Sequence, residues 1–338
     1  MQQNWTIVKG LVLVGFIFLA ITIPAYCVSA EPSTKWIDTY GGAGDDEGYS
    51  VINSDQGYVF IGITNSSGLG QYDVLLIKTD SVGSMEWNRT YGGSFNDMAY
   101  SVVTTIDGGY ALAGSTNSFG SGDVDYWLLK VDSQGNLEWN QTYDGQGYDS
   151  CRSLVASSDG GYALLGYTIA SRSESTSSGL YNSDVWLVKV DSFGNMEWTQ
   201  TYGGPIADYC DSMVTSGNGD YTLACISQPP VRTLTPPFGD GVFWLLTVDS
   251  LGGLELNQTY GVSAHHSPTS VLIAEDGSSI FGGSTRDNSG FRDFWLAKIG
   301  ETEMESEFLI IGLSLTLVVL LFVGLLFYKR TKNSNKRV

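Results

Sequence analysis

Aspartates recur at two fixed places along this sequence, and they are its most frequent candidates for chemistry. Asp46, Asp97, Asp149 and Asp208 each lie six residues after the tyrosine of a Thr-Tyr pair, and Asp73, Asp125, Asp184 and Asp293 each lie just before or at the start of a hydrophobic run. Converging carboxylates bind Ca²⁺, but aspartates in turns also cap backbone N–H groups. No stretch has the spacing of a calcium loop. Because a residue that repeats throughout a chain more often serves the fold, we favour capping, with Ca²⁺ as the alternative cofactor.

Little in the sequence points to catalysis. The two histidines, His265 and His266, are adjacent, and no Cys/His spacing indicates a metal centre. A pair of carboxylates can hydrolyse glycosides, but a catalytic pair is normally unique, whereas these carboxylates repeat. We therefore predict that the chain is not an enzyme, with an exported glycoside-acting hydrolase as an alternative.

A repeat sets the positions of these aspartates. The motif W-x-x-T-Y starts at residues 36, 87, 139 and 198, and a copy that begins with Leu256 follows, so the spacings are 51, 52, 59 and 58 residues. In the second unit, β-prone runs at Tyr100–Thr105, Tyr110–Ser115, Tyr126–Val131 and Leu137–Tyr143 alternate with Gly/Asp/Asn turns. Four antiparallel strands per repeat are typical of a β-propeller blade.

The two ends of the repeat region complement each other. The last unit has three runs, Ser270–Ala274, Ile280–Ser284 and Phe294–Ile299, whereas an extra copy of the fourth run, Trp36–Tyr40, precedes the first unit. If that copy pairs with the last unit, no sheet edge remains open. We predict an all-β ectodomain over residues 31–300: a five-bladed β-propeller closed by its N-terminal strand.

The unit W-x-x-T-Y-G-G … D-G-G-Y … D-x-W-L-x-K-x-D-x-x-G-N resembles the repeats of bacterial and archaeal cell-surface β-propeller proteins, over residues 36–299. This resemblance implies a fold and export from the cell, and it supplies no catalytic residues. The chain departs from the pattern at Val242, Leu256 and His266. The repeated tryptophans are expected to pack between blades; they are Trp127, Trp186, Trp244 and Trp295 in the third strands and Trp36, Trp87, Trp139 and Trp198 in the fourth.

Connections of unequal length are the better candidates for binding. In an up-and-down blade they lie on the same face as the repeated aspartates, and variable loops on a rigid scaffold are where specificity usually resides. The longest connections, at 168–184 and 227–241, carry Arg172, Tyr181, Arg232 and Phe238. We predict that these four residues bind an extracellular protein or glycan; the alternative is that the insertions have no partner.

Two kinds of covalent modification are suggested. Cys210 and Cys225 are equidistant from the centre of the turn between them, which favours a cross-strand disulfide in an oxidising compartment, although Cys151–Cys210 is a competing pair and a fully reduced set is a third reading. Glycosylation triplets of the type N-x-S/T begin at Asn65, Asn88, Asn140 and Asn257.

The two ends of the chain predict export and anchoring. Residues 1–30 have the features of a signal peptide, with a retained anchor as the alternative. Residues 308–328 lack charge and proline and are long enough to span a bilayer, and a basic tail, 329–338, follows a short linker, 301–307. We predict a single-pass type I membrane protein of the cell surface.

Charge excludes one class of partner. All 36 acidic residues and 11 of the 17 Lys/Arg lie between residues 31 and 307, which gives the ectodomain a net charge of 11 − 36 = −25. Binding of nucleic acid is therefore not expected. The sequence predicts a binding, adhesion or envelope-structural module that acts through its variable loops, with a Ca²⁺-binding lectin-like propeller as a further alternative.

Overall fold

The computed structural model describes residues 35–145, 147–169, 182–205, 207–227, 241–260, 265–286 and 292–300. Within these ranges the chain forms five antiparallel sheets from nineteen strands and contains no helix. The sheets follow one another along the chain as blades 1 to 5, each built by consecutive strands. The all-β, five-bladed propeller predicted from the repeat is confirmed.

The strands have the following bounds. Blade 1 consists of β1 (Asp46–Ser54), β2 (Gly57–Thr64), β3 (Asp73–Asp80) and β4 (Met85–Tyr91), and blade 2 of β5 (Asp97–Thr104), β6 (Tyr110–Thr116), β7 (Asp125–Val131) and β8 (Leu137–Tyr143). Blade 3 consists of β9 (Tyr148–Ala156), β10 (Tyr162–Ile169), β11 (Asp184–Val190) and β12 (Met196–Tyr202). Blade 4 consists of β13 (Asp208–Thr215), β14 (Tyr221–Ser227), β15 (Val242–Val248) and β16 (Leu254–Tyr260), and blade 5 of β17 (His265–Ile273), β18 (Ser279–Arg286) and β19 (Arg292–Ile299).

Each blade has two different edges. The turns between its first and second strands and between its third and fourth strands are short, and we call that side the turn edge. The Asp-Ser-x-Gly turns of this edge are built locally: the Asp132 carboxylate accepts hydrogen bonds from the backbone N–H of Gln134 (2.9 Å) and Asn136 (2.8 Å). Gly135 has φ 75°, a conformation that favours glycine. The opposite side, the loop edge, carries the connections of unequal length.

Hydrophobic side chains fill the space between successive blades. Four clusters of buried residues link blade 1 to 2, 2 to 3, 3 to 4 and 4 to 5. Trp127 belongs to the first cluster together with Ile61 and Leu76 of the preceding blade, and Trp186 belongs to the second. The third-strand tryptophans therefore pack between blades, because a flat aromatic ring covers a neighbouring sheet with a large apolar area.

The repeated W-x-x-T-Y motif holds each blade to the next. A Cβ built on Gly135 of blade 2 would lie 2.8 Å from the Trp87 ring of blade 1, and the Tyr91 hydroxyl of blade 1 donates a hydrogen bond of 2.6 Å to the Gly135 carbonyl. The same bond recurs from Tyr143 to Gly194 and from Tyr202 to Gly252. The motif is a structural clasp between blades.

The predicted closure by an N-terminal strand is wrong for this structure. Residues 35–40 belong to no strand, and the fifth sheet has three. Phe294 and Leu296 of β19 are exposed, whereas their blade 2 counterparts, Tyr126 and Leu128, are fully buried. The sequence contains an extra copy of the fourth-strand motif, but it does not determine whether this terminal segment forms a strand. Tyr40 still keeps the clasp, because its hydroxyl donates to the Gly83 carbonyl of blade 1.

Two further observations bear on the predictions made from the sequence. A disulfide joins Cys210 to Cys225, which face each other directly across β13 and β14, and Cys151 is free and buried. Among the residues described, no helix is long and apolar enough to cross a membrane. The predicted signal peptide (1–30), linker (301–307), membrane segment (308–328) and basic tail (329–338) lie outside the described residues.

Candidate functional site: the loop edge and its carboxylates

The repeated aspartates form rows across the loop edge of the blades. In blade 1, Asp46 of β1 pairs with Thr64 of β2, and Thr64 pairs with Asp73 of β3. These three residues form a row, Asp–Thr–Asp, across the loop edge of the blade. Blades 2 and 3 repeat this row as Asp97–Thr116–Asp125 and Asp149–Thr168–Asp184. Blades 4 and 5 modify it to Asp208–Ser227–Val242 and His266–Thr285–Asp293.

In blades 1 to 4, the aspartate that begins each row caps the chain that enters the blade. Its Oδ2 accepts a hydrogen bond from the backbone N–H two residues beyond the Thr-Tyr tyrosine; the four pairs are Gly42 to Asp46 (2.8 Å), Gly93 to Asp97 (2.7 Å), Gly145 to Asp149 (2.6 Å) and Gly204 to Asp208 (2.8 Å). Each of these aspartates is thus tied into the fold by the interaction expected of a capping side chain. Asp293, by contrast, is exposed on β19.

Carboxylates of neighbouring blades meet between these rows. At the junction of blades 1 and 2, a Cβ built on Gly92 would lie 1.8 Å from Asp73 Oδ1 and 2.9 Å from Asp97 Oδ2. At the junction of blades 3 and 4, a Cβ on Gly203 would lie 2.0 Å from Asp184 Oδ1 and 3.1 Å from Asp208 Oδ2. A side chain at either position would therefore require at least one of the two carboxylates to move.

The junction of blades 2 and 3 differs. Asp144 stands where Gly92 and Gly203 stand in the other junctions, so three carboxylates, those of Asp125, Asp144 and Asp149, place oxygens within 4.8 Å of one another. Asp125 and Asp149 are buried and Asp144 is exposed. Oδ2 of Asp144 accepts a hydrogen bond of 2.7 Å from the Ser121 hydroxyl. We call this group the triple-carboxylate junction. It brings together Asp149 and Asp125, one from each repeated set of aspartates, with Asp144, which belongs to neither set.

Electrostatics at these junctions disfavour full ionisation. Burial, together with the negative charges of Asp144 and Asp149, raises the pKa of Asp125 to about 6. Burial also raises the pKa of Asp149, against the opposing effect of hydrogen bonds from Thr168 and Gly145. Asp73 and Asp184 have raised pKa values as well, and burial is the main cause for both.

The four predicted ligand-binding residues, Arg172, Tyr181, Arg232 and Phe238, lie outside the described residues. Of their loops, the structure gives the anchoring ends: Ser183 O accepts a hydrogen bond of 2.7 Å from Asp208 N, which fixes the end of the blade 3 loop to blade 4. The triplet asparagines Asn65, Asn88, Asn140 and Asn257 are all exposed. Asn140 and Asn257 accept hydrogen bonds from the indoles of Trp127 (3.1 Å) and Trp244 (2.7 Å) through Oδ1.

A group of exposed apolar side chains on the loop edge was missed in the sequence. Leu69, Phe95 and Phe119 are 81%, 63% and 42% exposed, and their three loops touch. Phe95 N donates a hydrogen bond of 3.0 Å to Ser118 Oγ, and a Cβ on Gly70 would meet Phe95 O at 1.9 Å. We call these three residues the apolar loop cluster. They lie in shorter connections, whereas binding was predicted for the longest ones, at 168–184 and 227–241.

A second missed feature lies at the turn edge. The lysine of the W-L-x-K run is buried and holds two acidic partners: Lys130 Nζ lies 2.8 Å from Asp107 Oδ2 and 2.7 Å from Glu138 Oε2. Lys189 repeats this arrangement with Asp159 and Glu197. The regular spacing of Lys, Asp and Glu in the repeat was the available signal. These ion pairs support the fold and are remote from the loop edge.

The fold and the loop edge define a five-bladed β-propeller with repeated carboxylate junctions. No family model matches the chain. Over 172 residues it is 27% identical to the regulatory protein FlaEY of Caulobacter vibrioides, a match that covers 44% of this chain and 18% of the relative. The chain therefore spans less than a fifth of the length of that curated relative.

Solved structures with a similar fold were also found. A protein of unknown function from Dyadobacter fermentans aligns with a TM-score of 0.50 at 12% identity, covering 78% of this chain and 82% of that one. A thermostable family-43 glycoside hydrolase aligns with a TM-score of 0.43 at 10% identity, covering 78% and 92%. At such identities the likeness concerns the fold alone.

Proposed function

We propose that this chain is a membrane-anchored, cell-surface β-propeller that binds an extracellular protein or glycan through its loop edge. The observation that carries the proposal is the apolar loop cluster, because three large apolar side chains lie exposed on loops that contact one another. Exposed apolar groups of this kind typically mark interaction surfaces. The predicted residues Arg172, Tyr181, Arg232 and Phe238 belong to longer loops of the same edge.

Strand direction supports an outward-facing loop edge. β19 begins at Arg292 on the loop edge and ends at Ile299, which pairs with Ser279 beside the turn at Gly277. The chain thus leaves the last blade at the turn edge, and only residues 301–307 separate it from the apolar segment 308–328. An anchor there would hold the turn edge near the bilayer and leave the loop edge facing away from it.

The same geometry favours a binding module over a hydrolase. Two carboxylates about 5 Å apart suit a retaining glycosidase, provided that the sugar reaches both. Asp125 and Asp149 come close enough, but they are only 2% and 0% exposed. A glycosidic bond therefore has no direct route to this pair, whereas the exposed cluster of Leu69, Phe95 and Phe119 is open to a partner.

Binding is tested with the purified full-length chain on a glycan and protein array. We expect Phe95→Ser combined with Phe119→Ser to lower the array signal at least tenfold, since central aromatic side chains contribute most to binding energy. The matched control is Val82→Ser combined with Phe193→Ser, because these residues are 62% and 72% exposed at the turn edge. Equal signals from both double variants, or loss in the control alone, would contradict the proposed binding edge.

Anchoring is tested separately. We expect the full-length chain to stay with membranes after alkaline carbonate extraction, and a variant that ends at residue 307 to be released. External protease should cleave an epitope inserted in the 117–124 loop on intact cells. Release of the full-length chain by carbonate would exclude the membrane anchor without affecting the conclusion from the array.

A further inference from the structure

A β-bulge interrupts the first strand of every blade at the same place. One residue is left without a partner in the second strand, and it always directly precedes a serine; these five bulge residues are Tyr49, Tyr100, Arg152, Asp211 and Thr269. The first strands of successive blades contact one another, from β1 to β17, so the bulges lie around the centre of the propeller. A bulge re-aims a side chain, and bulges are common next to functional sites.

The serine that follows each bulge serves the fold. Ser153 Oγ accepts a hydrogen bond of 3.2 Å from Met213 N of the next blade, and Ser212 Oγ accepts one of 3.2 Å from Val271 N. The fold therefore accounts for a serine that is present in all five blades. It does not account for the bulge residue, whose side chain is aromatic, cationic, anionic or hydroxylic depending on the blade. Variable positions on a rigid scaffold are where binding residues concentrate.

The bulge residues of blades 1 to 3 contact one another. The rings of Tyr49 and Tyr100 lie 4.9 Å apart between centroids, and the Arg152 guanidinium lies 4.5 Å from the centroid of Tyr100. The same guanidinium lies 5.7 Å from the centroid of Tyr167, and its Nη2 donates a long hydrogen bond of 3.5 Å to the Tyr167 hydroxyl. Two tyrosines thus orient the guanidinium. Tyr49 adds an aromatic ring that is 43% exposed.

The charge of Arg152 is compensated only in part. Within the described residues its guanidinium forms the bond to Tyr167 and no ion pair, and its Nε is buried without a hydrogen-bond partner. Asp211 lies on the next blade; burial raises the pKa of its carboxyl, and the positive charge of Arg152 opposes that rise. The Asp211 side chain is nevertheless exposed to solvent. A carboxyl that is both accessible and surrounded by protein lies in a concave space, which a ligand can enter.

We propose that the centre of the propeller binds a sugar that carries a carboxylate, of the uronic acid class. The planar guanidinium of Arg152 matches a carboxylate. The exposed face of Tyr49 covers the apolar C–H groups of the sugar ring, and the Asp211 carboxylate accepts hydrogen bonds from its hydroxyls. The site uses none of the residues of the apolar loop cluster, so it does not depend on the proposed binding edge.

The test titrates the purified full-length chain with glucuronic acid, glucose and acetate by calorimetry. The net charge of the ectodomain, 11 − 36 = −25, repels anions at long range, so the buffer contains about 0.15 M NaCl, which screens charges beyond about 8 Å. We expect glucuronic acid to bind with a Kd on the order of 1 mM, as suits a ligand of its size. Glucose and acetate should bind at least tenfold more weakly, because each offers one half of the recognised chemistry.

Arg152→Gln should abolish the preference, so that glucuronic acid binds no better than glucose. Arg152→Lys keeps the charge without the planar fork and should retain part of the preference. The matched control is Arg89→Gln, because Arg89 is also half-buried and lies 5.5 Å from the centroid of Trp87, but on the fourth strand of its blade. It should bind glucuronic acid as the wild type does.

Tyr49→Ser is a second, independent variant that changes an exposed side chain and is therefore expected to fold. It should lower the affinity for glucuronic acid at least threefold while the preference over glucose remains. The proposal is overturned if the wild type shows no binding of glucuronic acid at a tenfold excess over the expected Kd, or if acetate binds as tightly. It is also overturned if Tyr49→Ser and a folded Arg152→Gln both bind as the wild type does, or if Arg89→Gln loses binding.

Discussion

The Tyr91 hydroxyl of blade 1 lies 2.6 Å from the Gly135 carbonyl of blade 2 and donates a hydrogen bond to it. Trp87, four residues earlier, lies against the same glycine. One strand of each blade thus grips a turn of the next through an aromatic ring and a hydroxyl. The bond explains why the tyrosine and the turn glycine recur together, because each is useful only if the other is present in the neighbouring blade.

Removing this hydroxyl should weaken the junction measurably. Tyr91→Phe keeps the ring but leaves the buried Gly135 carbonyl without its donor, which costs about 1–3 kcal/mol of the free energy of unfolding. Tyr49→Phe is the control, because the Tyr49 hydroxyl bonds to Glu47 at an exposed site, and we expect a change below about 0.5 kcal/mol. Urea unfolding followed by tryptophan fluorescence measures both. Equal losses of unfolding free energy in the two variants would show that the Tyr91 hydrogen bond contributes no more than an exposed hydrogen bond does.

Strand positions were largely predictable from the sequence. In blade 2 the predicted runs and the observed strands β5 to β8 differ by at most three residues at any end, because alternating side chains and Gly/Asp turns mark both. Contacts between blades were harder to predict from the sequence. The predicted pairing of residues 36–40 with the last blade was wrong. The sequence shows that a copy of the fourth-strand motif is present, but it does not show whether this copy pairs with β19.

The triple-carboxylate junction shows a different limit. The change from T-Y-G-G to T-Y-D-G at Asp144 is visible in the sequence, but its meaning depends on two aspartates that lie 19 and 5 residues away and belong to different blades. Only the three-dimensional packing brings these carboxylates together. Phe95 and Phe119 were equally visible, yet their exposure and the contact between their loops are properties of the fold.

The buried lysines predict an asymmetry between two ways of removing an ion pair. Lys130 is 4% exposed, whereas the side chains of its partners Asp107 and Glu138 are 54% and 43% exposed. Lys130→Met should cost about 1 kcal/mol, because water can solvate the two remaining carboxylates. Asp107→Asn combined with Glu138→Gln should cost about 3 kcal/mol, because it leaves a buried cation uncompensated.

Chemical unfolding at pH 7 measures both variants of this network. Lys298→Met serves as the control, since Lys298 pairs with Asp276 at a site where both side chains are more than half exposed, and its effect should stay below about 1 kcal/mol. A larger loss for Lys130→Met than for the double variant would mean that the lysine acts through packing of its aliphatic chain rather than through its charge.

Acid should weaken the same network at a defined pH. Hydrogen bonds from Lys130 and Thr105 lower the pKa of Asp107 to about 2, below its ordinary value of 3.8. A carboxyl whose pKa is lower in the folded state stabilises the fold above the unfolded pKa, and that stabilisation is lost as pH falls through the folded pKa. The free energy of unfolding of the wild type relative to Asp107→Asn should therefore be constant above about pH 5 and decline from about pH 4 towards pH 2. A relative free energy that does not change over this range would show that Asp107 is not ionised in the pair.

Blade 4 depends on a covalent link that the other described blades lack. The disulfide between Cys210 and Cys225 closes a segment with a sequence separation of 15, and cross-links of this size stabilise by about 3 kcal/mol, chiefly by restricting the unfolded chain. Reduction should lower the free energy of unfolding of the wild type by that amount and leave Cys210→Ala/Cys225→Ala unaffected.

Cys151→Ala is the matched control for the disulfide, because this thiol lies in the corresponding strand of blade 3. Its burial raises its pKa to about 12, so it should not react with thiol reagents in the folded protein, and its removal should leave the response to reduction intact. A response that disappears in Cys151→Ala would instead assign the link to Cys151. A response that persists in the Cys210/Cys225 double variant would show that reduction acts elsewhere in the chain.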